Sequence, residues 1–371
     1  MGVPFTANLV ASAPPRLSSD AVPAETPCME CSSVRRLAVA LLIVLASACG
    51  NPATAGAPPL APKQVSAWAF TNAWKTSLPV AVSANALTEV GGDWWSSASD
   101  GRVDSWTPDG FVAAVHADGL PVLATVTNGA FNPNISRAIL SHPARRIAQI
   151  EALVTRCDDE GYDGVELDWE SMDAGDRDAF SAFVADLATA LHANGKILAI
   201  AVHPKLGEPG GWSGAKAQDW AALGAAVDEF KIMTYDEHGG WSKPGPISDP
   251  SWADRVLDFA ETQVPSAKIW MGIPFYGYDW GAKGARSVTW KSAEALAERC
   301  HASILRDESG EARFTYKKSG VRHTVFFQDA ASVTTKLDMM LTEHPDIAGI
   351  AIWSMGGEDP TFWSLIDSTL P

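Results

Sequence analysis

The segment DGVELDWE, residues 163–170, carries four acids in eight positions, with Gly, Val, Leu and Trp between them. Side chains in a strand alternate faces, so Glu166, Asp168 and Glu170 share one side, spaced about 6.6 Å from one to the next. Val165, Leu167 and Trp169 share the other. If the apolar side packs against helices, the three acids point into the interior. Asp163 has the opposite parity and stands at the start of the strand, which suits a structural or capping acid. Buried like charges do not all ionise, so at least one of the three must hold a proton near neutrality. A carboxyl kept protonated at the rim of a cavity is a ready general acid. A solvated strand face would need these acids in water, against their place in the middle of the chain's alternating elements. A calcium site would need a loop that wraps the ion, which a straight strand does not provide. No His/Cys cluster has zinc spacing. Neither a metal nor a cofactor is expected.

The elements that must hold this strand alternate along the chain. Strands are predicted at 64–70, 121–128, 163–170, 196–204, 228–236, 268–277 and 348–355. Helical patterns fall between them, over 143–161 (Pro at the start, Gly at the end), 176–194, 251–264 and in shorter runs. The stretches GGDWWSSA and SDGRVDSW are less clear. Such alternation implies right-handed βαβ units and a parallel sheet. About eight units fit, the count of a (β/α)8 TIM barrel. A small α+β insertion is predicted over 281–330, between strands seven and eight, with a hairpin turning at Lys318-Ser319-Gly320. An open doubly wound sheet is the alternative, weakened because no Gly-rich phosphate loop follows the first strand.

On these residues the chain resembles glycoside hydrolase family 18, whose signature is D-x-x-D-x-D-x-E on the fourth barrel strand. Asp163, Asp168 and Glu170 match it, and Glu166 stands where the family usually has Asp. Met233-Thr234-Tyr235-Asp236 resembles the family's M-x-Y-D on strand six. Residues 272–277, GIPFYG, resemble its strand-seven motif, and Trp353 the tryptophan that ends strand eight. FFQDAASVTTKL, residues 326–337, resembles the segment after the family's insertion. The resemblance covers essentially all of residues 64–371, and the spelling GIPFYGYDW is similar to bacterial spore-lytic and germination members. It implies a retaining hydrolase of β-linked N-acetylglucosamine glycans, chitin oligosaccharides or peptidoglycan, in which the substrate's own acetamide is the nucleophile. Glu170 is then the acid, and Asp168 orients the acetamide. Tyr235 bonds the acetamide oxygen, Asp236 contacts the same sugar, and Trp353 forms its floor. The family role of the position held by Glu166 is to share a proton with Asp168. A catalytically inactive sugar-binding protein on the same barrel is the alternative, disfavoured because Glu170 is retained.

Further substrate-binding candidates are Met233, Tyr276, Trp241 and Trp280. The chain has 15 Trp, and Trp94, Trp95, Trp212, Trp241 and Trp280 are placed in strand-end loops, where aromatic plates stack on sugars. His203 and His238 also follow strands; a lone His is more often a hydrogen-bonded loop residue, and both stay outside the catalytic set.

The 371 residues are 46% hydrophobic and 19% charged, enough for a large core. Net charge is −16, and residues 1–48 are neutral overall, so the acidity belongs to the rest. An acidic body excludes nucleic acid and anionic membrane surfaces as partners and fits an uncharged polysaccharide. Residues 1–48 are expected to be a leader: Arg35-Arg36, the apolar run Leu37–Ala48, then Cys49 as a lipidation site. Met29 would give a leader of ordinary length. Residues 49–62, rich in Pro and Ala, form a tether, and 63–371 the barrel. The expected product is an exported monomer, an envelope lipoprotein or secreted, meeting the membrane only through its lipid. Cys157 and Cys300 are expected as buried free thiols.

Overall fold

The computed structural model describes residues 62–370. The expected leader, Cys49 and nearly all of the tether lie outside the described residues. Eight parallel strands form the core: β1 Gln64–Ala69, β2 Glu89–Ser97, β3 Val122–Thr127, β4 Gly164–Asp168, β5 Ile197–Val202, β6 Glu229–Ile232, β7 Ile269–Pro274 and β8 Gly349–Trp353. Neighbours pair in sequence order, and β1 pairs with both β2 and β8, closing the sheet on itself. This is the (β/α)8 barrel. Helices on the outside cover it, because Val, Ile, Leu and Trp side chains of the outer strand faces need an apolar partner. On β4 the parity argument holds: Trp169 stacks on Phe183 at 5.1 Å and Phe180 at 5.8 Å, both on the helix Arg177–Ala193. Asp163 is structural, as expected from its parity. Its Oδ2 accepts from the Val122 amide at 2.8 Å and lies 2.9 Å from His116 Nε2. The preceding helix Pro143–Glu160 opens on Pro and ends at Gly161 with φ 76, a conformation that glycine adopts without strain.

The stretch 89–97 resolves into β2 with a bulge between Asp93 and Trp95. The extra residue turns Trp94 and Trp95 both into the outer layer, against Phe111 and Tyr162. Neither stands in the strand-end loop expected for it. Two helices were not legible as such. Trp74–Ser83 holds Pro79 inside, and Pro133–Leu140 is short; both are stabilised by packing on the barrel.

The α+β insertion lies between β7 and β8. Its five strands are Tyr276–Gly281, Gly284–Thr289, Leu305–Arg306, Ala312–Lys318 and Val321–Phe327, with one helix, Trp290–Arg299. The hairpin turns where expected, with Ser319 at φ 51 and Gly320 at φ 79. The segment 268–277, expected as one strand, is two. β7 ends at Pro274, and the chain joins the insertion's sheet from Tyr276, upstream of the expected 281 boundary. Phe275 marks the break, with its amide on Trp353 O and its ring 4.1 Å from that of Phe362. Cys157 is a buried free thiol; Cys300 is free but only half-buried, because it caps a helix at the insertion's edge. No described helix is long and apolar enough to cross a membrane.

Candidate active site

The acids of β4 enter the barrel, and each meets a different environment. Glu166 is fully buried. Its Oε2 accepts from Trp68 Nε1 at 3.0 Å and lies 3.4 Å from both Thr125 Oγ1 and Lys231 Nζ, while Oε1 has no partner. The extra methylene of Glu over Asp therefore serves a lysine. Lys231 Nζ is also 2.7 Å from Glu89 and 3.1 Å from Glu229. Burial raises the Glu166 pKa, and Lys231 offsets only part of that.

Asp168, two residues on, has no such cation. Burial raises its pKa well above the usual carboxylate range, and the charges of Glu170, Asp93 and Glu166 add to it. Its Oδ1 is buried without a partner. Glu170 reaches the rim. Burial first, then Asp236 and Asp93, push it up to about 8, so it is protonated at neutral pH. Its backbone is gripped by Asn128, whose Oδ1 accepts from Glu170 N at 3.1 Å and whose Nδ2 donates to Glu170 O at 2.9 Å.

The far wall comes from β6 and its extension. Lys231, Met233 and Tyr235 share the inward parity. The expected strand 228–236 ends at Ile232, and the MTYD run is irregular backbone, with Asp236 at φ 60. Tyr235 is buried, and its pKa is raised well above normal by burial, then by Asp168, Glu170 and Asp236. Gly272 makes room for it: a Cβ there would sit 2.8 Å from Tyr235 Cε1. Asp236 accepts from Tyr276 Oη at 2.7 Å and Tyr278 Oη at 3.0 Å. Burial raises its pKa, and the two phenols hold the rise back. Trp353 closes the floor, half-buried, 5.9 Å from Phe70 in a stacked pair and 5.8 Å from Trp68 edge-on.

Met233 and Tyr276 pack with Tyr235 and Trp353 in one cluster, as expected of residues lining one site. Trp280 does not present a face to solvent. It is buried in that cluster, and its Nε1 donates to Gly239 O at 2.9 Å, so it packs the wall instead of plating a sugar. Trp241 is 43% exposed on the loop after β6 and stays available. Sequence reasoning missed Asp93, Asn128, Lys231, Tyr278 and Phe70. Lys231 had a signal, a charged residue at the inward parity of an apolar strand. Asp93 had none, because the bulge hides its parity. Burial pushes Asp93 up to about 7, with Glu166 adding to the rise. No metal is required by this set, whose acids lie stepped along the barrel and not around a point.

The model of the family described as glycosyl hydrolases family 18 matches residues 111–358. A cortical fragment-lytic enzyme of Bacillus anthracis is 30% identical over 281 residues, 72% of this chain and 64% of that one. The uncharacterized glycosylase YvbX of Bacillus subtilis is 28% identical over 241 residues, 64% of this chain and 70% of that one. Five Bacillus relatives, these two among them, are covered over 58% to 70% of their own length. Among solved structures, a chitinase from Chromobacterium violaceum ATCC 12472 superposes with a TM-score of 0.75 at 28% identity, covering 83% of this chain and 99% of that one.

Proposed function

We propose that this chain, which belongs to glycosyl hydrolases family 18, cleaves β-linked N-acetylglucosamine glycans with retention, using the substrate's acetamide as nucleophile. Glu170 gives its proton to the glycosidic oxygen as the bond to C1 breaks. The acetamido carbonyl oxygen attacks C1 from the opposite face and forms an oxazolinium ion. Asp168 accepts a hydrogen bond from the acetamide N–H and orients it, Tyr235 donates to the acetamide oxygen, and Asp236 bonds the same sugar. Trp353, backed by Phe70, lies under its apolar face. Glu170, now ionised, takes a proton from the incoming water as its oxygen reaches C1, and the acetamide is restored.

The observation that carries this reading is the orphaned Asp168 Oδ1, buried and without a hydrogen-bond donor. A buried acceptor left unpaired costs about 1–3 kcal/mol, and an acetamide N–H at that point would supply the partner. Tests are direct. Fluorogenic chitobiose and chitotriose substrates release fluorophore with the wild type, and analogues lacking the 2-acetamido group do not; binding without release would favour the sugar-binding alternative. The names of the relatives point to spore cortex on one side and chitin on the other. Digestion of purified chitin and peptidoglycan in parallel, read by product mass, decides between them. For the segment before residue 62 we propose export and lipidation at Cys49; intact mass of the mature N-terminus decides that, and size-exclusion chromatography the expected monomer.

A further inference from the structure

His203 follows β5 and faces Glu170. Its side chain is 6% exposed by residue, and its Nε2 is buried without a partner. That nitrogen lies 3.7 Å from Glu170 Oε2. The placement is built from both sides. The buried Gln218 accepts from the His203 amide at 2.8 Å and donates to Trp169 O at 3.4 Å, so one side chain ties the end of β5 to the residue just before Glu170. The imidazole is covered by Trp212, ring centroids 4.5 Å apart. Asn128 holds the Glu170 backbone from the other flank.

The groups facing Glu170 are Asp93 on β2, Asp168 on β4, His203 after β5, Tyr235 and Asp236 after β6, and Tyr278 of the insertion. Of these only His203 can be a neutral N–H donor. It stays neutral because burial, then the charge of Lys205, lowers its pKa to about 3. A carboxylic acid has two oxygens, and only one can carry the proton. The proton serves catalysis only on the oxygen that faces the glycosidic bond.

We propose that His203 is a positioning residue whose Nε2–H donates to Glu170 Oε2, a small rotation of either side chain closing the gap, so that the acid's proton is confined to Oε1. The inference rests on the hydrolase reading and names a part of the same site. When Glu170 releases its proton, the bond becomes charge-assisted and stabilises the carboxylate. Removing the donor must therefore make Glu170 a weaker acid.

His203→Phe keeps a ring against Trp212 and removes the donor; His203→Leu replaces it should the Phe variant not fold. His203→Gln keeps an N–H at similar reach. With chitotriose substrates, the Phe variant loses about tenfold or more in kcat and its alkaline limb moves up by about one pH unit. The Gln variant recovers most of kcat and returns the limb toward the wild-type position. An unmoved limb in the Phe variant, or Phe and Gln variants that behave alike, overturns the proposal. A second readout needs no turnover: the ¹³C carboxyl signal of Glu170, assigned by its absence in Glu170→Gln, titrates higher in the Phe variant than in the wild type. Equal midpoints also overturn it. A wild type that cleaves no glycan would instead sink the hydrolase reading.

Discussion

Two groups of carboxyls share the barrel interior. In the lower one, Glu89, Glu166 and Glu229 surround Lys231. In the upper one, Asp93, Asp168, Glu170 and Asp236 raise one another, and among the described residues no Lys or Arg figures in their shifts. Burial is the largest influence on the acids of both groups, so desolvation by itself does not distinguish them. The cation does. Burial alone would raise Glu89, yet Lys231 and its hydrogen bonds bring it below the usual range. Burial raises Glu229 to about 8, so the lower group holds at least one ionised acid and one protonated one against a single charge. Its hydrogen bonds are internal, and its role is to hold β1, β2, β4 and β6 together. The upper group has no such partner. Glu170 keeps its proton at neutral pH, and Asp168 Oδ1 is unpaired, as Glu166 Oε1 is below it. But Asp168 retains some exposure where Glu166 has none, so it is the one a ligand can reach. The same residue types give structure where a cation is supplied and chemistry where it is withheld.

Four changes break or sharpen this contrast. The largest is Glu170→Gln, which removes the acid without altering shape. We expect kcat on chitotriose to fall by about 10³-fold or more, with the fold intact. Stability should move the other way. Glu170 in the folded chain keeps its proton to about pH 8, against the 4.5 ordinary for a glutamate. Between those values the unfolded chain has released a proton that the folded chain still holds. The ionisable group is therefore neutral in effect at low pH and increasingly destabilising as pH rises, fully so above the folded value. Glu170→Gln should gain roughly 1–3 kcal/mol in urea unfolding near pH 8.5 and nothing near pH 4. A gain that is the same at both values would contradict a raised pKa.

Lys231→Met tests the lower group. It leaves three acids without their cation and should cost about 3–5 kcal/mol at neutral pH. Because the acids can escape by taking protons, the loss should shrink in acid; urea midpoints at two pH values measure it. Asp93→Asn is smaller. It removes a charge that raises both Asp168 and Glu170, so the alkaline limb of kcat/KM should move down by roughly half a unit, the reverse of the His203→Phe shift. The smallest is Glu166→Asp. The shorter carboxylate loses reach to Trp68 and Lys231, costing about 1 kcal/mol, while activity is retained or improved. A collapse of activity in Glu166→Asp would mean that the lower group takes part in the reaction after all.

Some of this was legible in one dimension because it depends on parity and order. Alternation placed Glu166, Asp168 and Glu170 on one face and Trp169 on the other, since strand geometry is local. The succession of strands and helices led to the barrel because right-handed crossovers leave few other arrangements. Other features needed three dimensions. Trp280 was misplaced because an aromatic residue suits a sugar platform and a core equally well, and only packing tells them apart; Trp94 and Trp95 were placed in a loop because the bulge hides their strand. Asp93 enters the site because a single extra residue shifts the parity of β2.

The order of residues by itself determined that acids would line the inner face of a central strand and that a closed parallel barrel would carry them. It could not determine which acid keeps a proton. That depends on partners far off in the chain: Lys231 is 65 residues from Glu166, and Asp93 and His203 come from other strands than Glu170. Closing the sheet decides which side chains meet across its interior. With water excluded, the presence or absence of one neighbouring charge then sets whether a carboxyl is an ion that binds the fold or an acid that can act.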